Sequence, residues 1–471
     1  MNPIFLLITV VVYFIISFII GLIRTRNITM EQYVVTKNTN SFIPLLFSIL
    51  GIIVGGGMFF GVSQIGYEAG ITGYIVGFSY LVGFLIMGSL VPMIRKLGSG
   101  KNYLSLIDLI EDRFKKDKER RFSIAHLFAL INLLIFFLML AAQFVVLGTF
   151  LHYFFGLGLY KAILSVTVVI AIVNVIVYSV FGGYPKDIAT DVFQFIIILC
   201  GAILILLAFS DVTTWKPIAT LPNSYFNGIG YGWSFTVGAI VFLGPALLVR
   251  VDLWQRIFSA KTEKVARSAF IVAAPLSLFF YVLFTTCGMY AKAIGVQSSG
   301  LVAMEVFPKL FPDVRYIIVM VSFFAAVLSS ADTFLNIAGI SFVKAIRRKQ
   351  WQQFTESGYQ TNLGKPLLRL AKLSVFIIGL LSVVITFILP DIVELFTGAF
   401  ALLMVATPAI LNALFSEKPN EKAAFHSMLW GFLVSLVVYP LIPKTAFLPG
   451  FVISAIVFFV IRHKTKEQIS N

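Results

Sequence analysis

Long, nearly uncharged apolar runs recur from one end of the chain to the other. A membrane-spanning helix needs about 20 such residues, whereas a spanning strand needs only about ten in an alternating pattern. Because the runs are continuous, they predict helices. We expect thirteen spans, near residues 3–23, 41–68, 72–94, 123–153, 160–181, 188–209, 229–249, 268–294, 313–345, 368–390, 392–415, 424–441 and 446–462.

Composition supports the same fold class. Hydrophobic residues make up 59% of the chain and charged residues 12%, about half the charged share of a soluble domain. This balance excludes a soluble enzyme and predicts an all-α polytopic membrane protein, with residues 1–471 forming a single transmembrane domain. The first run is followed by Arg24 and Arg26 and has no small-residue cleavage site. We therefore expect a retained helix rather than a signal peptide.

The basic residues are distributed unevenly between the loops. With the N-terminus placed outside, 30 of the 36 Lys and Arg residues fall in segments on the cytoplasmic side. This asymmetry is the positive-inside rule, so the net charge of +15 indicates orientation rather than nucleic-acid binding. We expect a multi-pass protein of the inner (plasma) membrane with a cytoplasmic C-terminus. Neither a nucleic-acid partner nor an obligate protein partner is evident.

Three consecutive glycines, Gly55 to Gly57, lie in the middle of the second run. Each glycine costs a helix about 1 kcal/mol relative to alanine. Close helix packing usually places glycines four residues apart on one face, whereas three in a row point in three directions. The triplet therefore favours a broken helix over a simple packing surface. Its freed carbonyls must line a cavity or bind a ligand, because lipid cannot satisfy them.

A second interruption, Gly244-Pro245, lies in the seventh run. Proline removes a helix hydrogen bond and clashes with the preceding turn, so the helix either kinks or opens there. The second and seventh runs are five spans apart. Interrupted helices at matching places in two five-helix units are typical of transporters built from inverted repeats.

Four oxygen-bearing side chains lie close together in the ninth run: Ser329, Ser330, Asp332 and Thr333. An aspartate inside the membrane costs about 2.5 to 3.5 kcal/mol on insertion scales, so it normally faces a partner or water. The serines could simply bond back to their own helix. A hard cation such as Na⁺ prefers several oxygen ligands, however, and the freed carbonyls of the second run could complete the set. The pattern thus predicts a cation site.

The sixth run contains two more polar residues, Asp191 and Gln194, near its predicted cytoplasmic end. One interpretation is that they are solvated or paired with Lys186. The other is that they lie on the ion's inward route. The sequence favours neither.

Four motifs, in this order, resemble the sodium/solute symporter family over nearly the whole chain. They are the glycine triplet followed by Gly61 and Tyr67, Gly182-Gly183 with Thr190-Asp191-Val192-Phe193-Gln194, Gln255-Arg256-Ile257-Phe258-Ser259-Ala260-Lys261, and Ser329-Ser330-Ala331-Asp332. The triplet and the Gln-Arg motif are most similar to the choline-type branch. The resemblance implies a leucine-transporter-like fold, with inverted repeats at 41–209 and 229–415. An extra helix and loop would precede them at 1–40, and two helices and a cytoplasmic tail would follow at 423–471.

The resemblance also implies a sodium site where the second and ninth runs meet. Some members bind a second sodium ion through a carboxylate of the sixth run. Because this sequence has Asp332 where such members can carry serine, the second ion could instead be a proton. The first site would use the carbonyls of Gly51, Val54 and Ala326 with the hydroxyls of Ser329 and Ser330, and the second would use Asp191, Asp332 and Thr333 with Ser329.

The implied substrate pocket lies beside the two interruptions. Ile53 and Arg250 stand where a choline-binding cage would carry aromatic residues, so cation–π capture of a quaternary ammonium is disfavoured. Arg250 could bind a substrate carboxylate through two parallel hydrogen bonds, although pairing with Asp252 is the simpler interpretation. We expect an amino acid or another small organic acid as substrate. The lining would include Ile53, Gly55, Gly56, Met58, Gln143, Phe242 and Arg250.

The expected function is sodium-coupled import of a small organic solute by alternating access. Its expected partners are Na⁺, the solute and the lipid bilayer. A membrane-embedded sensor or channel on the same scaffold and a choline-like transporter remain as alternatives. A membrane enzyme is disfavoured, because the four histidines stand singly, without a metal-binding spacing.

Overall fold

Helices dominate the structure, which is a computed structural model. It describes residues 3–23, 28–114, 123–155, 182–297, 302–389, 392–442 and 447–470. No strand occurs within these ranges. The run predicted at 160–181 lies outside the described residues.

The helices of the first half follow the predicted apolar runs, with short connecting helices between them. The second run is divided into two helices. The helices are α1 (Pro3–Ile23), α2 (Met30–Val34), α3 (Phe42–Ile53), α4 (Ser63–Ala69), α5 (Thr72–Gly98), α6 (Leu106–Arg113), α7 (Ile124–Phe155) and α8 (Tyr184–Phe209).

The second half repeats this arrangement of long spans and short connections. The seventh run, like the second, is divided. The helices are α9 (Val212–Ala219), α10 (Trp233–Gly238), α11 (Val251–Ser259), α12 (Glu263–Ala293), α13 (Val302–Leu310), α14 (Arg315–Ile346), α15 (Arg348–Glu356), α16 (Gly364–Ile388), α17 (Ile392–Val405), α18 (Thr407–Phe415), α19 (Glu421–Val438) and α20 (Phe447–Ser470).

The all-α polytopic fold is confirmed. The described residues contain nine helices long and apolar enough to cross a membrane, and a tenth if a bent pair counts as one span. Two shorter apolar stretches correspond to the first and seventh predicted runs. They are Ile8–Gly21, which lies within α1, and Trp233–Leu243, which consists of α10 and the turn that follows it. The count of thirteen stays a prediction.

Several helix ends differ from the sequence prediction: α12 begins at Glu263 rather than near 268, and α5 ends at Gly98 rather than near 94. α8 begins at Tyr184 rather than near 188. Gly183, with φ of 76°, turns the chain just before the helix, and Pro185 fits its first turn, where no N–H is needed. α20 continues to Ser470 rather than ending near 462, because the Lys, Glu and Gln residues of the tail are good helix formers.

The predicted break in the second run is confirmed. α3 ends at Ile53, and the chain resumes as a π-helical turn, Met58–Val62, that leads into α4. The two halves meet at an angle of 55°. Val54, with φ −84° and ψ 55°, has left the helical conformation. The carbonyls at the end of α3 are thus freed from the helix ladder.

The predicted interruption in the seventh run is also present. After α10 the chain passes through a π-helical turn, Ala239–Leu243, and a 3₁₀ segment, Pro245–Val249, before α11 begins. The hydroxyl of Ser79 donates to the Ala239 carbonyl at 2.6 Å and accepts from the Gly244 amide at 2.8 Å. A side chain of α5 therefore satisfies backbone groups that the broken helix leaves free.

Two close contacts fix the position of the broken elements. Backbone bonds join the segment before α3 to the end of α11: the Thr39 amide donates to the Ser259 carbonyl at 2.9 Å, and the Lys261 amide donates to the Asn40 carbonyl at 2.8 Å.

The helix α14 lies at the centre of the protein, and 94% of its most apolar stretch is buried. It packs against α7, α8 and α3. Polar residues on α14 therefore face protein rather than lipid.

Candidate functional site

The end of α3 meets the two serines of α14. The Ser330 hydroxyl donates to the carbonyl oxygens of Gly51 and Ile52, at 3.3 and 3.2 Å. Both serine side chains are fully buried. The hydroxyl thereby satisfies carbonyls that the helix break has freed. Of the predicted ligands, the structure brings Gly51 and Ser330 into direct contact.

Two glycines allow this close approach. A Cβ atom at Gly55 would lie 2.2 Å from the Ser330 Oγ and 3.7 Å from the Ala326 carbonyl oxygen. A Cβ at Gly51 would lie 2.6 Å from the Ser329 Oγ. The break, the Ala326 carbonyl and both hydroxyls therefore lie close together, without room for an added methyl group at either glycine. These oxygens are the hard, uncharged ligands that a sodium ion accepts.

The Asp191 carboxylate lies directly beside these groups. The hydroxyls of Ser329 and Ser48 donate to its two oxygens, at 2.6 and 2.5 Å. Asp191 is 1% exposed. The structure thus joins Ser329 of the ninth run to the sixth-run aspartate, and Asp191 is not solvated.

Arg256 is the cation nearest to Asp191 among the described ion pairs. One of its guanidinium nitrogens lies 3.6 Å from the carboxylate, and the two side chains are each 1% exposed. The guanidinium also donates to Ser48 and, at 3.2 Å, to the Thr333 hydroxyl. It therefore lies between Asp191 and Thr333, two members of the predicted second cation site.

Asp332, the third member of that predicted site, is 3% exposed. Neither of its carboxylate oxygens accepts a hydrogen bond from the residues that the structure describes. Lys186, at the start of α8, is also fully buried. Gln194, the other polar residue singled out in the sixth run, donates a hydrogen bond to the Tyr13 hydroxyl of α1 at 3.1 Å.

Four of the residues predicted to line a substrate pocket lie at the break in the second run itself. Ile53, Gly55, Gly56 and Met58 are buried or nearly so. The Gly56 amide donates to the Gln143 side-chain carbonyl at 3.2 Å. The amide at the start of the second half-helix is therefore held by α7.

Arg250 and Phe242 have other contacts. The Arg250 guanidinium makes two parallel hydrogen bonds to the Asp252 carboxylate, one of 3.1 Å, and both residues are buried. Phe242 packs against Phe451 of α20, with ring centroids 4.5 Å apart. The structure does not bring either side chain to the break in the second run.

Sequence reasoning missed Ser48 and the position of Lys186. Ser48 lies one helical turn before Ile52, so the two residues are on the same face of α3. This spacing could have identified Ser48 as a neighbour of the break. The sequence identifies Lys186 as a loop charge or as a partner of Asp191 and Gln194, but not as a fully buried residue. Arg256 was noted as part of a motif but given no contact.

The sequence profile of the Sodium:solute symporter family matches residues 43–431, most of the chain. The chain belongs to this family. Family members are transporters rather than enzymes, and Na⁺ is their coupling ion. The chain is accordingly a multi-pass membrane protein, and Na⁺ and an organic solute are the partners typical of the family.

Relatives with known names agree with this assignment to the sodium:solute symporters. The chain is 24% identical to a sodium/proline symporter of Staphylococcus aureus (strain JH9), over 98% of this chain and 93% of the relative. It is 22% identical to sodium/glucose cotransporter 4 of Danio rerio, over 91% of this chain and 70% of the relative.

Two solved structures share the fold of this sodium:solute symporter. A substrate-bound, outward-open Na⁺-coupled sialic acid symporter matches with a TM-score of 0.71 at 17% identity, covering 96% of this chain and 98% of the other. MhsT in complex with L-phenylalanine matches with a TM-score of 0.54 at 17% identity, covering 90% and 99%. The predicted leucine-transporter-like fold is confirmed.

Proposed function

We propose that this protein imports a small organic solute together with sodium by alternating access. The observation that carries the proposal is the contact between the Ser329-Ser330 pair and the broken end of α3. Freed carbonyls and buried hydroxyls in the membrane interior fit a dehydrated cation. We further propose a plasma-membrane location with the N-terminus outside and the C-terminus in the cytoplasm, because the basic residues are distributed in that way.

The proposed ion step follows from the hydrogen bonds at the break. The Ser330 hydroxyl donates hydrogen bonds to the carbonyl oxygens of Gly51 and Ile52. When Na⁺ enters, the hydroxyl rotates so that its oxygen lone pair faces the ion, and the carbonyls bind the ion directly. The proposed ligands are Gly51, Val54, Ala326, Ser329 and Ser330.

The driving force is sufficient for solute accumulation. One positive charge that moves inward across 100 mV releases about 2.3 kcal/mol, which corresponds to roughly fifty-fold accumulation of solute. The sodium gradient adds to this. Because α3 carries one half of the site and α14 the other, separation of these helices would release the ion.

We propose an amino acid or another small organic acid as the solute. Proline, sialic acid and phenylalanine, named for one relative and two structural neighbours, all carry a carboxylate, whereas glucose, named for the other relative, does not. Arg250 is already paired with Asp252. We therefore assign carboxylate binding to the Gly57 amide at the start of the second half-helix, since helix N-termini attract anions and the Gly56 amide already donates to Gln143.

Removal of the Ser330 hydroxyl tests the ion site. We expect Ser330→Ala to raise the sodium concentration for half-maximal uptake about tenfold, the effect of losing about 1.4 kcal/mol of ion binding. The matched control is Ser322→Ala on the same helix, because the Ser322 hydroxyl donates to the Val319 carbonyl of its own helix at 2.7 Å. Equal sodium dependence in both variants would contradict the assignment.

The solute class needs a direct screen. We expect some amino acids or small organic acids to raise the melting temperature of the purified protein, and to do so more in sodium than in potassium, because a ligand that binds only the folded state stabilises it. Compounds that respond should then enter proteoliposomes only with an inward sodium gradient. Stabilisation by a sugar or a quaternary ammonium alone would refute the proposed class, and uptake that ignores sodium would refute symport.

A further inference from the structure

A groove with a volume of about 450 Å³ runs along the hairpin of the two C-terminal helices, α19 and α20. One apolar side chain of α19 and five of α20 line it. Trp430, Ile456 and Val460 are each about half exposed, so the groove is open on the side that faces lipid. The lining residues are Trp430, Ile453, Ile456, Val457, Val460 and Ile461.

Close packing fixes the two helices of this hairpin. A Cβ atom at Gly431 of α19 would lie 2.8 Å from the Ser454 Cβ of α20, and a Cβ at Gly450 would lie 1.9 Å from the Ser435 Oγ. The Ser454 hydroxyl also donates to the Val405 carbonyl of α17 at 2.8 Å. α20 is thus held against both α17 and α19, and the groove is a fixed feature of the surface. The order of these contacts shows that α19 and α20 are antiparallel.

Two exposed lysines lie at one end of the groove. Because the helices are antiparallel, the start of α19 and the end of α20 are at the same end of the hairpin. Lys464 lies one helical turn beyond Val460, on the face of α20 that lines the groove. Lys422 lies two turns before Trp430, on the same side of α19. Glu421, nine residues before Trp430, falls on the opposite face of that helix.

An acyl chain and a negatively charged headgroup match these two parts of the surface. The apolar groove lies parallel to the helices, as a lipid chain does. Lysines at the end of membrane helices attract anionic headgroups, whereas a zwitterionic headgroup gains less from them. A symmetric dimer through the groove is a poorer fit, because a two-fold axis along the membrane normal would bring the lysines of both copies close together.

We propose that the groove between α19 and α20 binds an anionic phospholipid. One acyl chain lies along Trp430 and Ile456, and the phosphate lies beside Lys422 and Lys464. The proposed orientation of the protein places this lipid in the cytoplasmic leaflet. The inference goes beyond the proposed symport and does not depend on it.

Quenching of Trp430 fluorescence by brominated lipids tests the proposal. Of the five tryptophans, Trp254 and Trp351 are buried, and Trp215 and Trp233 are exposed at other places. In the full-length parent variant Trp215→Phe/Trp233→Phe, Trp430 is therefore the exposed tryptophan that remains. This variant is reconstituted in mixed vesicles in which either phosphatidylglycerol or phosphatidylcholine carries brominated chains. Adding Trp430→Phe gives the background from the buried tryptophans.

Brominated phosphatidylglycerol should quench Trp430 at about a fivefold lower mole fraction than brominated phosphatidylcholine, which is the effect of one close lysine on an anionic lipid. Lys422→Gln/Lys464→Gln should abolish this preference, while both lipids still quench. The matched control is Lys365→Gln, because Lys365 is an exposed lysine at the start of α16. This control should keep the preference of the parent variant.

Three results would overturn the proposal. They are equal quenching by the two lipids in the parent variant, an unchanged preference after removal of both lysines, and quenching by neither lipid, which would mean that another protein chain covers the groove. Should the double lysine variant not fold, salt decides. Raising the ionic strength from about 0.1 M to about 1 M shortens the Debye length from about 10 to about 3 Å, so the preference of the parent variant should fall, and a preference that ignores salt would contradict the role of the lysines.

Discussion

Gly55→Ala should weaken sodium binding about a hundredfold, more than any single hydroxyl deletion at the site. The added methyl group would lie 2.2 Å from the Ser330 Oγ and 3.0 Å from its Cβ. The Ser330 side chain must then turn away from the Gly51 and Ile52 carbonyls, and the methyl group lies where we propose that the ion binds. Overpacking of this kind costs about 1 to 3 kcal/mol. Sodium-dependent uptake and sodium binding measure the effect.

A glycine six residues further along the same span provides the matched control. A Cβ at Gly61 would meet no atom within 4 Å. Gly61→Ala makes the same chemical change, and replacing glycine within a helix stabilises it by about 1 kcal/mol. We expect wild-type sodium affinity and an unchanged or higher melting temperature. Similar behaviour of the two alanine variants would mean that the close approach at Gly55 has no part in ion binding.

Arg256→Met should destabilise the folded protein by about 3 to 5 kcal/mol, the usual cost of leaving one partner of a buried ion pair uncompensated. The guanidinium supplies hydrogen bonds to Ser48 and Thr333 and lies 3.6 Å from Asp191. Methionine fills similar volume but provides neither the charge nor the donors. A lower melting temperature and poorer recovery of folded protein from the membrane measure the loss.

The double variant Arg256→Met/Asp191→Asn separates charge from packing. Without the Asp191 charge the methionine no longer leaves a buried carboxylate unpaired, so we expect most of the lost stability to return. The double variant should still transport poorly, because Asp191 holds the hydroxyl of Ser329. A double variant no more stable than Arg256→Met would show that Arg256 acts through packing alone.

Local features of the sequence predicted the two broken helices. Three adjacent glycines and a Gly-Pro step oppose helix formation wherever they occur, so their effect did not depend on distant residues. The boundaries of α3 and of the 3₁₀ segment at Pro245 agree with this. The predicted ends of α8 and α20 were less accurate. Apolar residues identify the part of a helix that lies within the membrane, and a helix can continue beyond that part.

The chemistry of the serine pair could also be predicted, though not its geometry. Ser329 and Ser330 attracted attention because polar residues are rare within the membrane. Their bonds to Asp191 and to the Gly51 carbonyl cross sequence separations of 138 and 279 residues. No local pattern specifies which partner lies opposite.

The sequence by itself determined that the chain folds as membrane helices, where two of those helices break, and which family it belongs to, because apolar length, glycine and proline act locally. Only the tertiary structure decided which charged residues are buried and which groups they contact. Lys186 looks the same in sequence whether it faces water or is buried, and Ser48 is one serine among many. Packing of α1, α3, α11 and α14 around α8 buries these groups together, and burial makes their charges and hydrogen bonds decisive.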